Sequence, residues 1–496
     1  MNKDFITDYL GCILFRLFAP VIRALPEDLT CFAGRKIGEL VYYLDAKHRA
    51  VAYANIKAAL GDKLSVRELN TVTRDFYRSF AQNIMEIFFI PKMDRQYLEK
   101  YIKIEGLDYV RQAFEKKKGV IFVGAHAGSW ELSNIVCANL GFPFNLFVQE
   151  QRMPRLNRLL NSYRVQKGCK IIQKKNQTRR IIEVLRNNES IGMTVDQGGK
   201  TGVGVKFFGK DASMSTGAVR LALKYGSPII PAFFARQQGR FVKIILAPPF
   251  EVRDTGNPEE DIRDNLQELI HIYEKFITTY PQEYLWTYKI WKYSKERNIL
   301  ILNDGKTGHL RQSQSLAGTV KEYLREKNIS ANTETADVKF KSKFSRKALS
   351  FCGCLSGKYV CQGCLGCMKA FLSPASYGYL TSRKPDIIIS CGSSLAAVNL
   401  MLSRHNLAKS LVVLKPSLLP ASSFDLVVMP KHDNPAKRKN IAVTQGALNL
   451  IDAGYLEEEA GKFLKTSGLD PKAGRSYIGL LLGGQTKSFH LEKDTV

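Results

Sequence analysis

From Gly119 onward the chain alternates between two textures, and this alternation constrains its fold more than any other feature. GVIFVGA, FNLFVQ, KIIQ, SIGMTVD, PIIPAFF and FVKIILA are short strand-like runs, and RLNRLLNSYRVQKG, TRRIIEVLRNN and STGAVRLALKYG between them are helical. Strands alternating with helices indicate an α/β domain. Upstream, residues 30–118 read as helical. RKIGELVYYLDAKHRAVAYANIKAAL and VRELNTVTRDFYRSFAQNIMEIFF repeat apolar residues at three- and four-residue steps, and Ser65 is placed to cap the second helix. The texture changes again near Lys295, where NILILNDGKTGH opens a new strand, Gly-containing turn and helix. The 496 residues therefore read as a leading helix over 1–28, an α/β domain with N-terminal helices over 29–296, and a Rossmann-like α/β domain over 297–496.

The formal charge is +27, which calls for an anionic partner. No RNA-recognition sheet, zinc finger or basic zipper is visible, so an anionic membrane surface or an acidic protein or substrate fits better than nucleic acid. The segment YLGCILFRLFAPVIRALP at 9–26 is apolar but interrupted by Arg16 and Arg23. It lacks the unbroken apolar centre of a signal peptide or a spanning helix. Leu10, Ile13, Leu14, Leu17, Phe18, Val21 and Ile22 follow helical spacing, with Arg16 and Arg23 opposite. That is the pattern of a helix lying in a membrane interface. The alternatives are a core-facing helix and a short spanning segment. Pro20 predicts a kink or break near its end. Without a signal peptide, the chain is expected on the cytoplasmic side.

GVIFVGAHAGSWE at 119–131 carries the chemistry. The strand ends at Gly124 and a helix is predicted from near Ser129. His126 then stands at the C-terminal edge of a sheet, where α/β domains place their sites. Gly124 and Gly128 leave room for a substrate. Glu131, in the first helical turn, is placed to reach one ring nitrogen, fix the tautomer and stabilise the imidazolium, giving a general base with its orienting acid. The competing reading is a helix cap or a solvated pair.

HAGSWE, DQGGKTGVGVKFFGKDASMSTGAVRLALKYGSPIIPAFF at 196–234, YPQEYLWTYKIWK at 280–292 and YLDAKHRAVAYANIKAAL at 43–60 together resemble the late acyltransferases of lipid A biosynthesis, the lauroyl/myristoyl acyltransferase family, over about residues 1–295. The glycerol-phosphate acyltransferases share the His-x4-acid motif, but their FPEGTR-like block is missing here. The resemblance implies a glycerolipid-acyltransferase-like α/β fold and transfer of a fatty acyl chain from acyl carrier protein to a hydroxyl of a lipid A precursor, at the cytoplasmic face of the bacterial inner membrane and without a cofactor. His126 would deprotonate the acceptor hydroxyl, and Glu131 would orient His126. Arg164, Asp196 and Gly199 are the candidate substrate-binding residues. Arg164 would bind acceptor phosphate or stabilise developing charge, or else is a solvated helix arginine. Asp196 would organise the site beside a Gly-rich turn, or else caps that turn. Phe207 and Phe208 would line an acyl channel or belong to the core. Trp286, Trp291 and Lys292 read as structural or interfacial. Another phospholipid or glycolipid acceptor, and an inactive membrane scaffold, are the alternatives.

NDGKTGHLRQSQSLA at 303–317, SCGSSLAAVNLML at 390–402 and VVLKPSLLPASSFDLVVMPKHDNP at 412–435, leading into NIAVTQGALNLID, resemble the bacterial proteins grouped with the plant mitochondrial fission (ELM) family. That family resembles GT-B glycosyltransferases. SYIGLLLGGQTKSFHL at 476–491 looks like the start of a second GT-B half, so the domain reads as truncated: either the sequence is a fragment or a frameshifted product, or the region serves as a docking domain. His309 is placed to touch a phosphate or is a surface-loop residue, while His432 and Asp433 have no assigned role. Five cysteines fall between Cys352 and Cys367. Cys361, Cys364 and Cys367 have the C-x-x-C-x-x-C spacing of a zinc or iron–sulfur site, and the alternative is an irregular loop.

Overall fold

Ser65 begins the fourth helix with a reciprocal cap. Its hydroxyl accepts from Glu68 N–H, and its own N–H donates to the Glu68 carboxylate at 2.7 Å. Such a box contributes about 1 kcal/mol and fixes where the helix starts. The structure, a computed structural model, describes residues 3–148, 153–166, 168–173, 178–355, 357, 359, 361–469 and 478–479. Four helices lead: α1 (Lys3–Ala24), α2 (Glu27–Leu44), α3 (Ala46–Leu60) and α4 (Val66–Ile87). α1 continues through Pro20 and stops at Ala24. Arg23 turns inward, donating to Phe88 O at 2.7 Å and to the Tyr163 hydroxyl at 2.5 Å.

The first sheet has seven strands. β1 (Ile102–Glu105), β2 (Val120–Gly124), β3 (Phe144–Val148), β4 (Lys170–Gln173) and β5 (Ser190–Thr194) are joined by a separate antiparallel hairpin of β6 (Val203–Phe207) and β7 (Lys210–Met214) to β8 (Ile229–Gln238) and β9 (Phe241–Leu246). The order is β1-β9-β8-β2-β5-β3-β4, parallel except for the β8–β9 pair. β2 lies at the centre, and its run Val120–Val123 is buried throughout. One core cluster joins this sheet to α3, α4 and the helix Pro258–Thr279, with Trp286, Tyr273 and Tyr284 fully buried in it.

The second sheet contains β10 (Glu296–Asn303), β11 (Ser330–Asp337), β12 (Ile387–Cys391), β13 (Lys409–Val413), β14 (Leu426–Pro430) and β15 (Ile441–Thr444). All six are parallel, in the order β11-β10-β12-β13-β14-β15. The sequence direction therefore reverses beside β10, the arrangement of doubly wound folds. The overall class is α/β with N-terminal helices, as the sequence implied.

The two sheets belong to one unit, Met1–Leu448. α3 carries the joint. The Lys57 ammonium donates to Arg383 O at 2.9 Å and Asn406 Oδ1 at 2.5 Å. Lys384 pairs with Asp62 at 2.7 Å, and Lys210 with Asp386 at 3.2 Å. The unit Asn449–Val496 contains a helix, Ala453–Ser467, started by Asp452, whose carboxylate accepts from Tyr455 N–H at 2.7 Å. The expected half-domain start at 476–491 lies outside the described residues, apart from Ile478 and Gly479.

Candidate active site

β2 and β5 are neighbours in register, Gly124 opposite Thr194. Two residues past each strand end come His126 and Asp196. Parallel register thus sets an imidazole beside a carboxylate, seventy residues apart in sequence. Asp196 Oδ1 lies 2.8 Å from His126 Nδ1, and Asp196 Oδ2 accepts from His126 N–H at 3.1 Å. Both carboxylate oxygens are engaged. An ionised carboxylate only accepts, so Nδ1 holds the proton and Nε2 is the basic nitrogen. Burial opposes charge on the imidazole, but Asp196 outweighs it and His126 titrates above its ordinary value. Burial likewise works against the Asp196 carboxylate, and His126 with the surrounding hydrogen bonds holds it below the usual range.

The loop that carries His126 is held from behind. His126 O accepts from Leu285 N at 2.8 Å, and Gly128 N donates to Glu283 O at 2.9 Å. Gly128 has φ +62°, and a Cβ there would sit 1.9 Å from Phe234 O, so no other residue fits. Ser129 donates its hydroxyl to Glu86, which pairs with Arg236 at 2.7 Å. Arg236 also donates to Asn83 Oδ1 at 2.6 Å, and Ser79 to Glu283 at 2.8 Å. These buried polar residues escaped sequence reading. Ser79, Asn83 and Glu86 share one face of α4 at four- and three-residue steps, but their partners Ser129, Arg236 and Glu283 come from distant segments, and only the fold brings them together.

The expected role of Glu131 is corrected. The carboxylate on His126 Nδ1 belongs to Asp196. The helix begins at Leu132, with Glu131 as its cap residue rather than in its first turn. The Glu131 side chain faces Arg164, which donates from Nε at 2.9 Å and Nη2 at 2.5 Å. Trp130 Nε1 adds a bond to Glu131 at 3.2 Å, and Asn161 accepts from Arg164 at 2.8 Å. Two further assignments change. Asp196 is buried beneath His126 rather than facing substrate. Gly199 is a turn residue at φ +64° whose carbonyl accepts from Ser213 at 2.8 Å, and it is not part of the cavity wall.

His126, Glu131 and Arg164 stand in the wall of a cavity of about 670 Å³. The floor is made by alternate residues of adjacent strands: Gly124 of β2, Gly192 of β5 and Ala232 of β8. Gly124 leaves open space there, whereas the gap beside Gly192 is taken by the Phe144 ring. Phe122, Phe144, Leu246 and Val110 continue the wall as an apolar lining. A long apolar cavity with a base, an ion pair and Gln197 and Ser215 in its wall suits a substrate with one greasy and one polar end. Phe207 is not in that wall. It is core, packed on Tyr284 and Trp291. Trp286 is buried and donates to Pro281 O at 2.6 Å.

The metal reading of the cysteines finds no support in the geometry. Cys361 is turned into the core of the second sheet, whereas Cys364 and Cys367 are exposed. Among the described residues no three His, Cys, Asp or Glu side chains converge to hold a metal ion. His309 Nδ1 lies 3.0 Å from Asp304, which also accepts from Ser394 at 2.7 Å. His432 and Asp433 lie side by side, 3.9 Å apart.

The family described as bacterial lipid A biosynthesis acyltransferase matches residues 3–293. The chain belongs to this family. It is an enzyme that transfers acyl groups. The family described as mitochondrial fission ELM1 matches residues 307–496. Similar proteins include a lipid A biosynthesis acyltransferase of Haemophilus influenzae, 23% identical over 58% of this chain and 88% of that protein. The lipid A biosynthesis palmitoleoyltransferase of Escherichia coli is 22% identical over 54% of this chain and 86% of that protein. A phosphatidylinositol mannoside acyltransferase of Mycolicibacterium smegmatis is 25% identical over 31% of this chain and 52% of that protein.

Proposed function

We propose that this acyltransferase moves a fatty acyl chain from acyl carrier protein to a hydroxyl of a lipid A precursor, at the cytoplasmic face of the bacterial inner membrane. The observation that carries the reading is the Asp196–His126 pair at the polar side of an apolar cavity. The acyl chain lies over Gly124, Gly192 and Ala232. His126 Nε2 removes the proton of the acceptor hydroxyl, the oxygen attacks the thioester carbonyl, and the thiol of the carrier leaves with a proton. Asp196 stabilises the imidazolium in between. Arg164, held by Glu131, supplies positive charge to the developing oxyanion or to an acceptor phosphate. Acidic acyl carrier protein and a phosphorylated acceptor both suit a chain of net charge +27. The likeness to the mannoside acyltransferase favours one second reading, a different glycolipid acceptor. In either case the ELM-like sheet, joined to α3, serves as a docking domain.

The test offers acyl-carrier-protein thioesters with a Kdo-bearing lipid A precursor, alongside competing phospholipid and glycolipid acceptors. Transfer to the precursor that is lost in His126→Ala supports the reading. Transfer to another acceptor alone overturns the substrate, and activity retained in His126→Ala overturns the mechanism.

A further inference from the structure

α2 packs its small side chains inward and its large ones outward. Its buried stripe is Thr30, Cys31, Gly34 and Gly38. A Cβ on Gly38 would lie 2.3 Å from Tyr77 O, and one on Gly34 3.0 Å from Met85 Cγ. The glycines are what allow α2 to lie against α4. On the opposite side stand Leu29, Phe32, Ile37, Leu40, Tyr43 and Leu44, each between 47 and 74% exposed. At 100° per residue these six span an arc of roughly 140°. A helix that only supported a core would place them the other way.

The charges on α2 are sorted in the same way. Its acids are all paired with arginines of the body of the protein, although Asp28, at the helix start, stays exposed. Glu27 and Asp28 pair with Arg240, and Glu39 pairs with Arg78 at 2.7 Å. Arg35 and Lys36 are exposed and, among the described residues, carry no ion pair. The Lys36 ammonium sits 5.6 Å over the Phe32 ring, in the middle of the apolar face. Cations among exposed apolar groups, with each acid of the helix already neutralised by an arginine, complement a surface that is greasy below and anionic above. No described helix is long and apolar enough to cross a membrane.

We propose that α2 docks flat on an anionic phospholipid bilayer, its six apolar side chains at the acyl boundary and Arg35 and Lys36 among the phosphates. α1 also exposes Leu14, Leu17, Phe18 and Val21, and Leu25 between the two helices is exposed as well. Ile84, an exposed residue of the cavity wall, directly precedes Met85 on α4. α2 packs on α4, and α4 lines the cavity, so one layer of helix separates the docked face from the site. The proposal deepens the membrane association proposed above, and it is tested by binding alone, so its failure is separate from any failure of acyl transfer.

The experiment is co-sedimentation of the full chain with vesicles of phosphatidylethanolamine and phosphatidylglycerol, or of phosphatidylcholine. Variants are Phe32→Glu/Leu40→Glu and, separately, Arg35→Gln/Lys36→Gln, with circular dichroism to confirm folding. The first pair should weaken partitioning by about tenfold or more with α1 intact. The second should lower the preference for phosphatidylglycerol several-fold. Unchanged partitioning in the first pair overturns the proposal. So does a vesicle-free oligomer that Phe32→Glu/Leu40→Glu dissociates in sedimentation velocity, since the face would then join two copies of the chain.

Discussion

At the scale of single residues, the site depends on charges that never reach the cavity. Glu86 and Arg236 are both buried, and their pair holds Ser129 three residues past His126. Burial disfavours the Arg236 charge, but Glu86 more than compensates, so its pKa is raised. Removing one member of a buried pair strands the other. Arg236→Met should therefore destabilise the chain by roughly 3–5 kcal/mol, measured by urea unfolding. Replacing both, with Glu86→Leu, should recover much of that loss. The sequence revealed His126 and Asp196 as strand-end polar residues but left them unpaired. Only the register of β2 against β5 joins them, and register is a tertiary fact. Glu131, close in sequence, was the natural partner by spacing. Arg164 captures it instead, because two charge-assisted bonds outcompete one.

At the scale of elements, the cavity is a gap in a strand pattern. Runs such as GVIFVGA announce buried strands, and β2, β3, β4, β5, β8 and β9 fall on the runs so read. β1 was missed because IKIE is four residues long and sits between two helices. The β6–β7 hairpin was missed because its glycines read as a turn. Of the small residues in the cavity floor, Gly124 was legible as room for a substrate, but Gly192 and Ala232 gave no signal of their own, since they matter only once their strands are adjacent. Gly124 has open space above it, its nearest Cβ neighbour being Ala232 O at 3.8 Å. Gly124→Val should thus fold normally and fill the floor. In competition between acyl donors, it should shift the preference towards shorter chains by about tenfold or more. Gly38→Val should act differently, forcing α2 off α4 and destabilising the fold by about 1–3 kcal/mol.

At the scale of the whole molecule, the two sheets are tied through Lys57. Its ammonium is buried, and burial together with nearby Lys384 lowers its pKa to about 7. In the unfolded chain it titrates near about 10.4. Between those values the unfolded state binds more protons, so Lys57 makes stability rise with pH across that window. Lys57→Met should remove that contribution, up to about 1.4 kcal/mol per pH unit. The difference between the two proteins' thermal unfolding at pH 7 and pH 9 measures it. A texture change near Lys295 marked the start of a new sheet, but the joint itself was invisible in sequence. Lys57 reads as one more surface lysine on a helix until Arg383 and Asn406 close over it.

In the proposed reaction His126 is the base of acyl transfer, and Asp196, not Glu131, sets its proton affinity. The most direct measurement is the pH dependence of kcat/KM for acyl transfer in the unchanged enzyme, Asp196→Asn and Glu131→Gln. Activity should rise with pH as His126 loses its proton, at a pH above the ordinary imidazole value. Asp196→Asn should move that rise to lower pH and cut the rate by about 10²–10⁴. Glu131→Gln should leave the position of the rise in place. A rise that moves with Glu131→Gln and stays with Asp196→Asn would contradict the account.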